Sequence, residues 1–393
     1  MRWSEVPLSE LAASSPAAIA IGPFGSSMTA ETYTESGMKV VRGQDIGSGR
    51  DLEFKEQVFV GEETVIRLRR SVVRQGDLVL PHRGAIGRVG IVGSEDLMLS
   101  TSMMKITLDP RVCIPEFYLY YLRGPGKQKL LEHASVVGTP GIAQPLSALR
   151  SIRVPKPPLE IQRAIAEVLG ALDDKIAANQ AVALATDDLR RAQYDALLGE
   201  TSQPLSLLAS FVNGRAYTKN ATGTGRVVIR IAELNSGLGG STVYNDIEVP
   251  DDNVARPGDL LFAWSGSLTA ARWYRPEAIV NQHIFKVIPR SGWPLWAVAS
   301  AVHRKLDDFK AIAADKATTM GHIQRHHLDE PVLVPSPEQL TRHDVAMKGL
   351  WERALAAEVE SLELATLRDT LLPHLMSGSL TVRDAEKDVE QSL

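Results

Sequence analysis

Gly37-Met38-Lys39-Val40-Val41-Arg42-Gly43-Gln44-Asp45-Ile46-Gly47-Ser48-Gly49 is answered, about 180 residues further on, by Gly225-Arg226-Val227-Val228-Ile229-Arg230-Ile231-Ala232-Glu233-Leu234-Asn235-Ser236-Gly237, a period far longer than that of any solenoid repeat. The echo continues in order. Gly76-Asp77-Leu78 returns as Gly258-Asp259-Leu260, Met104-Lys105-Ile106 as Phe285-Lys286-Val287, and Val154-Pro155-Lys156-Pro157 as Val334-Pro335-Ser336-Pro337. Such a unit is a duplicated domain, which gives one polypeptide an approximate two-fold character. Duplex DNA is the commonest partner with a matching pseudo-symmetry.

The 393 residues suit two or more domains. With 44% hydrophobic and 23% charged residues the composition is that of a globular protein, and no apolar run is long enough to cross a bilayer. The start, Met1-Arg2-Trp3-Ser4-Glu5, lacks the apolar core of a signal peptide, so a cytoplasmic protein is expected. Cys113 is the only cysteine, which excludes internal disulfides and cysteine-based zinc sites. The net charge of -4 divides unevenly: residues 1–155 and 201–335 each carry +2, whereas 156–200 carry -3 and 336–393 carry -5. Mildly basic domains alternating with acidic helical segments are compatible with a polyanionic partner, although solvated helix surfaces alone would produce the same split.

Residues 1–155 contain short β-rich runs, Lys39-Val40-Val41, Asp77-Leu78-Val79-Leu80, Val89-Gly90-Ile91-Val92 and Met103-Met104-Lys105-Ile106, with one helix near Pro115–Leu122. The second copy repeats this with Val227–Ile231, Asp259–Phe262, His283–Val287 and a helix around Pro294–Phe309. Each copy reads as an α+β domain with one twisted, mostly antiparallel sheet. Beyond Pro157-Pro158 the period changes: Ile161, Ile165, Val168, Leu172 and Ile176 recur at spacings of three and four, predicting a single helix to Leu198. Met347, Trp351, Leu355, Val359 and Leu362 form the second stripe, in a helix that Pro373 should end or kink. Two long amphipathic stripes are most simply buried against each other as an antiparallel coiled coil.

At these residues the chain resembles the DNA-sequence specificity subunits of type I restriction-modification systems. The resemblance rests on Ile21-Gly22-Pro23-Phe24-Gly25-Ser26-Ser27, on Gly76-Asp77-Leu78-Val79-Leu80 followed by Gly84-Ala85-Ile86-Gly87, and on Pro157-Pro158-Leu159-Glu160-Ile161-Gln162-Arg163-Ala164-Ile165. In the second copy it rests on Gly258–Phe262 and Asn281–Val287, and it runs on to Leu371–Gly378. Pro337-Glu338-Gln339-Leu340 departs from the fuller opening of the first helix. The family implies two target recognition domains, 1–155 and 201–335, each followed by a conserved helical spacer, 156–200 and 336–378, with a tail at 379–393. It also implies that each domain reads one half of a bipartite target. The partners it implies are double-stranded DNA, two modification subunits that methylate adenine with S-adenosylmethionine, and two restriction subunits that use ATP and Mg²⁺. This chain would itself hold no cofactor or metal, catalyse nothing and contact no membrane.

Reading bases in the major groove requires Arg, Lys, Asn, Gln, Ser and Thr on loops and element ends, with further cations on phosphates. The first domain offers Arg42, Gln44, His82, Arg83, Arg88, Ser102, Thr139 and Gln144 in such settings. The second offers Arg230, Trp264, Ser265, Gln282, His283, Lys316, Thr318, His322 and Gln324. Taken singly, each is as readily a turn residue or a surface cation. Pro81-His82-Arg83-Gly84 becomes Ala263-Trp264-Ser265-Gly266, and unlike loops imply unlike half-sites.

Enzymatic alternatives are weaker. The phosphate-cradling Gly-x-x-x-x-Gly-Lys-Ser/Thr loop is absent, and Lys156-Pro157-Pro158-Leu159 lacks both the polar first residue and the aromatic of the adenine methyltransferase tetrad. Asp45, Glu53 and Lys55 have the spacing of a metal-dependent nuclease, a spacing common by chance. His322, His326 and His327 are a poor zinc set because only the first two share a helical face. A coiled-coil scaffold without nucleic acid would explain the helices but not two loop-rich domains.

Overall fold

The structure is a computed structural model that describes residues 3–47, 49–135, 140–315 and 321–392. The chain falls into two compact units, residues 1–177 with 363–393, and residues 178–362.

In the first unit a four-stranded antiparallel sheet has the order Ile19–Ile21, Met103–Ile106, Leu78–Pro81, Gly90–Ile91. A second sheet contains Tyr33–Thr34, Phe59–Val60, Met38–Val41, Leu97–Leu99 and Val72–Val73. Every residue of Leu78–Pro81 and Met103–Ile106 is buried, because both faces of these strands are covered. Alternate side chains serve different cores, as a period of two demands. Leu78, Leu80, Met104 and Ile106 join the helix Pro115–Arg123, while Val79 and Met103 join Val41, Val73, Leu97 and Leu99 of the second sheet.

The second unit repeats this plan. Ala209–Asn213, Ile284–Pro289, Leu260–Ala263 and Thr269–Arg272 form the antiparallel sheet, and Val243–Asn245, Arg226–Ile229, Ala278–Val280 and Val254–Ala255 form the other. Its main core gathers Phe211, Phe262, Phe285 and Phe309 with residues of the helix Leu295–Asp315. Each domain therefore has two principal sheets where one was expected, and one strand pair in each is parallel: Met38–Val41 with Leu97–Leu99, and Arg226–Ile229 with Ala278–Val280.

The expected strand Val227–Ile231 stops at Ile229. The backbone N–H of Arg230 donates to the Glu233 carboxylate at 3.0 Å and opens a short helix, Ile231–Ser236. Arg42 and Asp45 make the same cap in the first copy, at 2.7 Å. An acid three residues beyond the strand end is thus the signal that turns the chain. Between the sheets each domain buries a lysine. Lys105 Nζ lies 2.9 Å from Asp77 and 3.0 Å from the Val72 carbonyl, and Lys286 Nζ lies 3.1 Å from Asp259 and 2.6 Å from the Val254 carbonyl.

The two long helices are Leu159–Ala196 and Pro337–Ser377. In the second unit Ala183 packs with Ala354 and Ala357, and the Arg190 guanidinium lies 5.3 Å from the Trp351 ring centre. Contacts rise along one helix as they fall along the other, so the pair is antiparallel. In the first unit Asp173 of the first helix accepts from Arg368 of the second at 2.6 Å and from the Tyr120 hydroxyl at 2.8 Å. The second helix passes through Pro373 to Ser377. Burial of Leu371, Leu375 and Met376 offsets the hydrogen bond that Pro373 cannot donate. Residues 379–393 contribute the helix Val382–Ser392, whose Ala385 is fully buried in the core of the first domain.

Candidate nucleic-acid interface

The strand Leu78–Pro81 runs into a loop stitched to two other loops by backbone hydrogen bonds. The His82 N–H donates to the Ser102 carbonyl at 2.9 Å, the Ile142 N–H to the His82 carbonyl at 2.9 Å, and the Gly84 N–H to the Pro140 carbonyl at 2.8 Å. Arg83 and Gly141 form an isolated bridge. Gly84 has φ 81°, a conformation that suits glycine. The result is a groove of about 670 Å³ whose lining brings His82, Arg83, Ser102 and Gln144 together. Arg83 and Gln144 are exposed, and Arg83 has no carboxylate partner among the described residues. Burial holds the His82 imidazole below its ordinary pKa of 6.5, with the Arg83 charge acting in the same direction and backbone hydrogen bonds acting against it.

The second domain builds the same scaffold. The Trp264 N–H donates to the His283 carbonyl at 3.1 Å, the Ile323 N–H to the Trp264 carbonyl at 3.1 Å, and the Gly266 N–H to the Gly321 carbonyl at 2.8 Å. Ser265 and His322 form the bridge. Positions 82, 83, 102 and 141 thus correspond to 264, 265, 283 and 322. The side chains differ in kind. Trp264 donates its indole N–H to Asn213 Oδ1 at 2.8 Å, and its ring centre lies 5.2 Å from His283, 5.7 Å from Phe285 and 6.4 Å from His322. His283 adopts φ 74°, which is uncommon for a residue with a side chain and concentrates at ligand-handling positions. Gln282 and Gln324 are exposed beside this cluster.

Other candidates have structural duties. The Arg42 guanidinium donates to the Glu56 carbonyl at 2.5 Å and lies 3.5 Å from Asp45. Arg230 grips Glu233 through two hydrogen bonds of 2.9 and 2.6 Å and donates to the Ser241 carbonyl. Burial raises the Glu233 pKa, but the bonds from Arg230 outweigh it and leave the carboxyl below its ordinary value. Arg88 donates to the Ile46 carbonyl at 3.2 Å and so steadies the loop that presents exposed Gln44. Thr139, Lys316 and Thr318 lie outside the described residues. The groove also contains Phe24 and Arg150, which the candidate list lacked. Phe24 lies in Ile21–Ser27, where nothing in the sequence marks its ring as exposed. Arg150 sits on the helix Pro145–Ser151, which no loop signal would single out.

Of the acidic candidates for metal chemistry, Asp45 is otherwise engaged and Glu53 is exposed. Asp45 is 1% exposed and caps Arg42, and burial raises its pKa, partly opposed by Arg42. The His327 Nδ1 accepts from the Gln324 N–H at 2.9 Å. Among the described residues no three His, Cys, Asp or Glu side chains converge as metal ligands would. No helix among them is long and apolar enough to cross a membrane.

Residues 27–184 match the family model of the type I restriction modification DNA specificity domain. The first domain is thus similar in sequence to type I DNA specificity domains. A curated relative, the specificity subunit of the type I restriction enzyme EcoBI from Escherichia coli, is 27% identical over 132 residues. That match takes in 33% of this chain and spans only 27% of the relative's own length. Among solved structures, the S subunit of a type I restriction-modification system from M. genitalium has a TM-score of 0.58 at 15% identity, over 95% of this chain and 96% of that one, a likeness of fold. The second domain lies beyond the family match, yet it repeats the first domain's sheet order and its loop hydrogen bonds position by position.

Proposed function

We propose that the chain is the DNA-reading subunit of a type I restriction-modification complex, in which residues 1–155 and 201–335 each recognise one half of a bipartite target. The observation that carries this reading is one backbone scaffold built twice with different side chains at equivalent positions. Arg83 and Gln144 offer donors suited to the major-groove edges of guanine and adenine, whereas Trp264, His283 and His322 offer rings and imidazole nitrogens. Two like frames with unlike contents suit two unlike half-sites.

The two long helices fix the gap between the half-sites and dock two modification subunits, which supply S-adenosylmethionine-dependent adenine methylation. Two restriction subunits, using ATP and Mg²⁺, complete the complex, and this chain contributes recognition without catalysis. The test is domain exchange. Replacing residues 1–155 by the matching domain of a relative should change one half of the methylated motif and preserve the other half and the gap. A methylome in which both halves change, or neither, would refute the assignment of one domain to one half-site.

A further inference from the structure

Phe24 is 74% exposed and lines the groove that holds His82, Arg83 and Gln144. Its backbone is fixed from both sides. A Cβ at Gly22 would collide with the Ser100 carbonyl, so the chain passes there in close contact, and Gly25–Ser27 then closes a 3₁₀ turn. The rest of the groove's lining is apolar at Ile21, Ile142 and Leu146 and cationic at Arg83 and Arg150, and no carboxylate is among the lining residues. An apolar ring held amid cations and amide donors, with no acid nearby, fits a polyanion that also presents an apolar group. In the major groove of duplex DNA that group is the 5-methyl of thymine.

We infer that Phe24 reads thymine in the half-site bound by the first domain, through contact of its ring with the 5-methyl group. This inference rests on the DNA reading proposed above and makes it more specific. The pseudo-symmetry supplies a built-in control. Ile21 pairs with Met104 as Asn213 pairs with Phe285, so the position equivalent to Phe24 is Ala216, which carries no ring.

The test uses the full chain assembled with its methyltransferase subunits and the duplex identified by methylome mapping. Thymines are replaced one at a time by uracil, which removes only the methyl group. One position in the first half-site should lose about fourfold in affinity, the worth of one buried methyl. Phe24→Ala should bind the thymine and uracil duplexes equally, and Phe24→Leu should retain part of the preference. Replacements in the second half-site should be unaffected by either variant. The side chain is exposed, so both variants should melt at the wild-type temperature.

Sequence-specific binding that ignores uracil throughout the first half-site would overturn the inference and leave the DNA reading intact. So would a first half-site without thymine on either strand, or a uracil penalty that survives in Phe24→Ala. Base unstacking that depends on Phe24, reported by 2-aminopurine fluorescence without any thymine preference, would make the ring a wedge and equally overturn it. Absence of sequence-specific binding would overturn both readings.

Discussion

Asp77 and Lys105 place opposite charges where neither meets water, their side chains being 3% and 8% exposed, and the second domain repeats the pair with Asp259 at 30%. Removing one partner of a buried pair strands the other charge. Asp77→Ala should therefore cost roughly 3 to 5 kcal/mol of stability. Asp259→Ala, which removes an acid already partly exposed to water, should cost roughly 1 to 3 kcal/mol. Denaturant titration of both variants checks the order. His303 adds a pH dependence: burial lowers its pKa from the ordinary 6.5, and its Nδ1–H donates to the Ala299 carbonyl at 2.7 Å. The folded state refuses a proton that the unfolded state accepts, so its contribution is present above pH 6.5 and is lost as the pH falls below it. His303→Gln should flatten the acid limb of the stability curve, as followed by melting from pH 7 to pH 5. At this scale the structure adds what sequence reading left out. Arg42 and Arg230 stand out as cations at strand ends, and the acid three residues on, Asp45 or Glu233, is the sequence cue that each also caps a turn.

The long helices were legible because a stripe at spacings of three and four survives any tertiary context. Their ends were not. The first gives way at Ala196 to the strand Leu198–Pro204, whose partner Pro331–Pro335 is distant in sequence, and the second continues through a proline that propensity alone would make a terminus. The split into two sheets per domain escaped notice for a similar reason: parallel pairing of Met38–Val41 with Leu97–Leu99 joins strands some sixty residues apart, and no local period encodes it. The antiparallel pairing of the helices yields a prediction about the gap. Four residues inserted after Asn179 and four more after Ser361, on facing stretches of the pair, lengthen each helix by about 6 Å and turn the segment that follows by about 40°. B-DNA rises about 3.4 Å per base pair, so the gap in the methylated motif should grow by one to two base pairs with the same bases recognised. An unchanged gap in an active variant would show that the helices do not set it.

At the scale of the whole molecule, the first unit is assembled from two stretches that are far apart along the chain, residues 1–177 and 363–393, whereas the second is continuous. Leu364, Leu371, Leu375, Met376 and Ala385 all belong to the core built around Leu78, Met104 and Phe117. During synthesis that core stays open while residues 178–362 are made, roughly 10 to 40 s at ordinary translation rates. The later-made unit is then the first able to fold completely, and the earlier one waits without the buried side chains of Leu371, Leu375 and Met376. Stalled nascent chains should reflect this order. With translation arrested after residue 362 has left the ribosome, pulse proteolysis should find residues 178–362 protected and residues 1–155 still cleavable, and protection of the latter should appear only once the C-terminal helix has emerged. The half of the target assigned to residues 1–155 would thus be the half whose reader depends on chaperone occupancy and on the speed of the ribosome.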